Sequence, residues 1–205
     1  MSPLKTDLYV DRIDLRRYCP NTINMPPKGE SPPISPEQTC IDMCPLMTES
    51  QIKACKLAMT ANAYLPAEEP PVTVPQPVEP QLIPLNDPGE NALVLVTGNS
   101  RITFDVMATV WSRGLTPAYL LQVDCLGHTV DMAMVFGEFT SPRLARAIEA
   151  SGLEQKVAHR KMIVPGFSES LVEDFAMLTG WEVEVGPICA AELPLFLGDR
   201  WIFAD

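Results

Sequence analysis

The chain has 205 residues, 46% of them hydrophobic, which allows one ordinary domain with a small appendage. Its net charge of −11, with no basic stripe, argues against nucleic acid as a partner. No run of about 18 apolar residues exists and the charged N-terminus lacks a secretory core, so neither a membrane span nor export is expected and a cytoplasmic location is.

Four of the six cysteines, Cys19, Cys40, Cys44 and Cys55, stand in the N-terminal third. Without an export signal, thiols favour metal ligation over disulfides. Four thiolates match the needs of a [4Fe–4S] cluster; zinc and free thiols are the alternatives. Gln51 to Ala63 reads as a helix carrying Cys55. From Pro66 to Pro88 the text is PAEEPPVTVPQPVEPQLIPLNDP, whose fixed φ angles and missing N–H groups predict an extended, semi-rigid linker. The expected organisation is therefore a Cys-rich region over 1–65, a linker over 66–89 and an α/β domain over 90–205.

After the linker, strands and helices alternate. Ala92 to Val96 reads as a buried strand followed by a Thr97-Gly98-Asn99-Ser100 loop, and Ile102 to Trp111 as a helix. Ala118 to Val123 is a second strand ending at Asp124 and the Gly127 turn; Thr129 to Phe136 is a short apolar helix stopped by Gly137. Pro142 to Ala150 is a further helix. The strand at Met162, a helix over Ser168 to Leu178, the strand Trp181 to Val185 and a last helix from Ala190 complete the order. This alternation predicts a doubly wound, Rossmann- or flavodoxin-like α/β sheet, in which ligands sit at the strand ends. Pro165, Gly166, Gly186, Pro187, Ala190 and Ala191 are small or rigid residues at two such ends, suited to close approach of a large flat ligand.

Several motifs resemble the C-terminal corrinoid-binding domain of the corrinoid iron–sulfur protein large subunit of the acetyl-CoA pathway, a domain shared with the corrinoid protein of mercury methylation. They are His159-Arg160-Lys161 with Pro165; Gly186-Pro187 with Ala190-Ala191-Glu192-Leu193-Pro194 and Phe196-Leu197; Val94 to Ser100; and Asp124, Gly127, Val130 with Gly137-Glu138-Phe139. The resemblance covers about residues 90 to 198.

It implies a base-off corrinoid (cobalamin) bound by Thr97, Asn99, Ser100, Asp124, Gly127, Thr129, Met132, Gly137, His159, Arg160, Pro165, Gly166, Gly186, Pro187, Ala190 and Ala191. Met132 falls where the relatives place the residue under the lower face; apolar packing and weak thioether ligation of cobalt are its two readings. Where the family has Lys in its G-K-F turn, this chain has Glu138. The implied role is a methyl carrier that takes a methyl group on Co(I) from a methyltransferase and passes it to an acceptor enzyme, the cofactor carrying the hard chemistry. The family's N-terminal cluster domain corresponds to the cysteines here, though their intervals of 20, 3 and 10 residues differ from the family's. No stretch of these residues has room for the family's TIM barrel, so a barrel-bearing subunit is a further implied partner. The rival reading is a cofactor-free scaffold that keeps the fold.

Overall fold

The computed structural model describes residues 6–18, 41, 44–66 and 71–204. The helices, in chain order, are α1 (Glu49–Met59), α2 (Ala61–Tyr64), α3 (Arg101–Trp111), α4 (Val130–Val135), α5 (Ser141–Ser151), α6 (Val172–Thr179) and α7 (Leu193–Leu197). The strands are β1 (Leu82–Leu85), β2 (Leu93–Gly98), β3 (Ala118–Val123), β4 (Lys161–Val164) and β5 (Glu182–Val185). They form one sheet in the order β1-β3-β2-β4-β5, parallel except for β1, which pairs antiparallel with β3 from Leu82↔Leu121 to Leu85↔Ala118.

Alternate residues of the central strands feed two cores. Leu95, Leu120 and Ile163 pack with Val106, Val110 and Trp111 of α3 on one face. Val94, Val96, Leu121, Met162 and Val164 pack with Leu144, Ile148 and Phe175 of α5 and α6 on the other. With helices on both faces, β2 and β3 can be apolar almost throughout, as a buried parallel pair requires. The edge strand β5 alternates instead, and its outward Glu182 and Glu184 pair with Lys161 and Arg200. The expected doubly wound α/β class holds.

Helix ends follow local chemistry. Thr48 and Gln51 form a reciprocal capping box at α1. Gly152 and Gly180 close α5 and α6 with φ of 62° and 70°. The single helix expected from Ser168 is a 3-10 turn, Gly166–Leu171, that continues as α6. The last helix likewise starts as a 3-10 turn, Ala190–Glu192.

The Pro-rich segment departs from expectation. Its described part is packed, not a free linker. Gln76 N–H donates to Gly127 O at 2.9 Å and Val78 N–H donates to Asn99 O at 2.9 Å. Farther on, the same segment becomes β1. Pro84 is tolerated there because an edge strand has no outer neighbour awaiting its N–H. Residues 67–70 lie outside the described residues. The N-terminal region is not detached either: Ala61, Leu65 and Val72 join the α3-side core, and Cys44, Cys55 and Ala58 pack with Leu195 of α7.

Candidate functional site

From β2 the chain moves to β3 on one side, then crosses back to β4 on the other. Such a reversal opens a crevice beyond the carboxyl ends of β2 and β4. A cleft open to solvent lies there. Val96 and Thr97 from β2, with Val164 and Pro165 from β4, line its strand-end side. The start of α4 gives Thr129, Val130 and Asp131; the β5 end gives Gly186, Pro187 and Ile188. Asp7, Leu8 and Tyr9, from the far N-terminus, also line it.

Tyr9 is held firmly. Its hydroxyl donates to Asp131 Oδ2 at 2.6 Å, and its ring meets that of Phe167 edge-on at 4.7 Å. Burial first, then the hydrogen bond to Asp131, push the phenol above its usual range, so it stays a donor at neutral pH. Its backbone lies in the left-handed region at φ 59°, a conformation that costs a non-glycine residue about 1–2 kcal/mol. A second tyrosine clasps the same side: Tyr18 donates at 2.7 Å to Glu192, whose carboxylate belongs to the Ala190-Ala191-Glu192 motif and is only 4% exposed.

The structure sorts the expected site residues. Thr97, Thr129, Pro165, Gly186, Pro187 and Ala190 line the cleft. Asn99 and Ser100 lie beneath the Pro-rich segment instead. Asn99 Oδ1 accepts from Cys125 N–H at 2.7 Å and Gly127 N–H at 3.1 Å, while Nδ2 donates to Val78 O at 2.9 Å; Ser100 bridges Pro77. These contacts tie loops together, and they leave the Asn99 amide little capacity for a ligand. Asp124 is exposed, accepts from Leu126 N–H, and lies near Arg143. Gly127 turns at φ 81° against Pro77, Gly137 ends α4 at φ 68°, and Ala191 is core.

Met132 is half-buried on α4 but is not among the cleft-lining residues; its neighbour Asp131 is. Successive helical residues point about 100° apart, which separates the two. His159 and Arg160 stand before β4, at the end of the sheet opposite the cleft. His159 Nε2 lies 2.9 Å from Ala92 O, and Arg160 pairs with Glu154 at 3.2 Å. Their adjacency to the strand in sequence carried no information about which end of the sheet holds the cleft.

Gly166 and Gly186 also serve a different end from the one expected. A Cβ on Gly166 would stand 2.9 Å from Gly186 O, and one on Gly186 2.9 Å from Ile163 Cγ2. They let two strand ends meet one another. Tyr9, Asp131, Phe167 and Ile188 were missed, and only the aromatic and charged character of Tyr9 and Asp131 hinted at them.

Thr129, on the cleft wall, belongs to a cluster around α4 whose chemistry suits a corrinoid. His128 Nδ1, Thr129 Oγ1 and Glu138 Oε2 are buried polar atoms without a hydrogen-bond partner, grouped around α4. His128 Nε2 is 3.9 Å from Glu138 Oε2, and its ring rests on Phe136 at 4.9 Å. Beside them, Val135 and Phe136 are 75% and 56% exposed. An apolar surface edged by unpaired polar atoms fits a flat ring bearing amide side chains. The residues present therefore fit the group.

Cys44 and Cys55 are buried in one apolar cluster with Ile41 and Met47, against which Tyr18 packs. Cys19 and Cys40 lie outside the described residues. Among the described residues no three His, Cys, Asp or Glu side chains are grouped to hold a metal. Nor is any described helix long and apolar enough to cross a membrane.

Comparison with known proteins places this arrangement. The acetyl-CoA decarbonylase/synthase complex subunit gamma of Methanopyrus kandleri is 37% identical over 123 residues, 60% of this chain and 27% of its own length. The same subunit of Methanocaldococcus jannaschii is 32% identical over 127 residues, 62% of this chain and 26% of its own. The corrinoid/iron-sulfur protein large subunit of Moorella thermoacetica is 34% identical over 123 residues, 60% of this chain and 28% of its own. The chain thus spans about a quarter of the length of these curated relatives. A family model matches residues 57–197, beginning well upstream of the motifs, and by that match the chain belongs to the CO dehydrogenase/acetyl-CoA synthase delta subunit family.

Proposed function

We propose that this chain binds a corrinoid at the β2/β4 cleft and carries a methyl group in one-carbon metabolism. The observation that carries the reading is the group of unpaired buried atoms, His128 Nδ1, Thr129 Oγ1 and Glu138 Oε2, beside exposed Phe136, a group that reaches the switch-point cleft at Thr129. The names of the relatives, a corrinoid/iron-sulfur protein among them, support it. When bound, the corrinoid would supply a reducible metal centre able to take up and release a methyl group. The chain's own part is binding and orientation. Thr129 and His128 can donate to amide oxygens, Glu138 can accept from amide nitrogens, and Val135, Phe136 and Ile188 cover apolar ring surface. Met132, one residue from the cleft wall, is the side chain we assign to packing near the lower face.

On this reading the protein works with a methyltransferase and a methyl-acceptor enzyme, and with a barrel-bearing subunit, in the cytoplasm. The described part of the Pro-rich segment is packed, so movement between partners involves the whole body and not a tethered domain. We assign Cys19, Cys40, Cys44 and Cys55 to a [4Fe–4S] cluster, supported by the burial of Cys44 and Cys55 together.

An anaerobic absorbance spectrum of protein reconstituted with hydroxocobalamin, before and after Ti(III) citrate, tests the reading. A retained base-off corrinoid that reduces to a species with a sharp near-ultraviolet band is the expected result. Protein that leaves desalting without corrinoid would favour the cofactor-free scaffold.

A further inference from the structure

We propose that residues 6–12 form a gate over the cleft, latched by the hydrogen bond from Tyr9 to Asp131, which must open before a corrinoid can seat. The inference rests on the cleft being the corrinoid site, and it adds a control that the relatives' names do not mention.

Three observations meet at Tyr9. First, the strap comes from far away in sequence, 122 residues from Asp131, yet Asp7, Leu8 and Tyr9 line the cleft. Leu8 and Tyr9 are half-buried in its wall. Second, the strap is attached by side chains. Its own turns are closed by Arg12 N–H to Tyr9 O at 2.9 Å and Ile13 N–H to Val10 O at 3.3 Å. Leu8, Tyr9 and Val10 pack against the α3-side core, the Tyr9 hydroxyl donates to Asp131 and the Tyr9 ring meets Phe167. Third, Tyr9 is a bulky residue at φ 59° with no side-chain cap on the turn that follows. A strained conformation persists only while surrounding contacts hold it, which is the property a displaceable latch needs.

The latch also lands at a telling place. Asp131 lies in the first turn of α4, between Thr129, whose Oγ1 is unpaired, and Met132. Opening the strap would free a carboxylate and widen the cleft on the wall we assign to the ring. A binding-competent state that is only partly populated lowers apparent affinity by that fraction, so weakening the latch strengthens binding.

The test uses the full chain, with hydroxocobalamin as probe, in wild type and in the variants Tyr9→Phe and Asp131→Asn. Stopped-flow absorbance reads the association rate, and hydrogen exchange reads the amides of residues 8–13. Tyr9→Phe removes the hydrogen bond and Asp131→Asn removes only the charge that strengthens it, so we expect association about tenfold faster or more in the first and a smaller gain in the second. Strap amides should exchange faster once corrinoid is bound. Unchanged or slower association in both variants overturns the gate, as does slower strap exchange on binding, which would make the strap a ring contact. Either failure leaves corrinoid binding standing. If no form binds corrinoid, the cofactor reading itself falls and takes the gate with it.

Discussion

Gly127 N–H donates to Asn99 Oδ1 at 3.1 Å, and a Cβ on Gly127 would collide with Pro77. One glycine thus joins the β2 loop, the β3 loop and the Pro-rich segment, and its φ of 81° suits no residue with a Cβ. Gly127→Ala should destabilise the fold by about 2 kcal/mol or more, through left-handed strain and displacement of Pro77. The urea midpoint of the variant, with an unchanged slope, checks this.

Asn99 is the other half of the joint. Asn99→Ala strands the N–H groups of Cys125 and Gly127 and the carbonyl of Val78, all three bonded to its amide. Leaving buried groups unpaired costs about 1–3 kcal/mol each, partly relieved by water. The urea midpoint of Asn99→Ala, with an unchanged slope, checks this, and a midpoint equal to that of the wild type would mean that water replaces all three bonds.

His159 should behave as a structural residue. It bridges Ala92 O and the N–H of Lys161 at the end of the sheet away from the cleft. His159→Ala is expected to cost about 1 kcal/mol and to leave hydroxocobalamin affinity unchanged. Equilibrium dialysis beside a melting curve separates the two effects, and a large fall in affinity would return His159 to the site.

Burial pushes the thiols of Cys125 and Cys189 up to about 12 from an ordinary value of 9.0. Both should resist a thiol reagent such as DTNB at pH 8 until the protein is unfolded. The sign of the stability effect follows from proton counts. Below about pH 9 both states hold the proton and nothing changes. Between 9 and about 12 the unfolded chain releases it and the folded one keeps it, so the folded state loses stability as pH rises. Denaturant midpoints measured from pH 8 to 11 should be flat and then fall, less steeply in Cys125→Ala.

Arg200 and Glu184 form a two-pronged pair at 2.8 Å on each arm, each side chain over two-fifths exposed. At such exposure solvent screens the charge, and Glu184→Gln should cost no more than ~1 kcal/mol. A cost that stays the same in 1 M salt would mean that the loss is packing against Phe196, whose ring the guanidinium covers at 5.5 Å.

The sequence by itself determined the α/β class and the chain order of the elements after the Pro-rich segment. Apolar runs such as Leu93–Gly98 and Ala118–Val123, with Gly152 and Gly180 closing helices, are local signals, and local periodicity reports on local structure. The motifs determined the family in the same way. Only the tertiary structure decided what fills the cleft. Proline composition reads as linker, yet Pro84 sits in an edge strand because a neighbour 35 residues later, Tyr119, supplies the pairing. His159 and Thr97 both flank strands, but strand direction decides that only Thr97 reaches the cleft. Tyr9 meets Asp131 across 122 residues, a contact that exists only because folding brings two distant stretches together, and no window of sequence contains it.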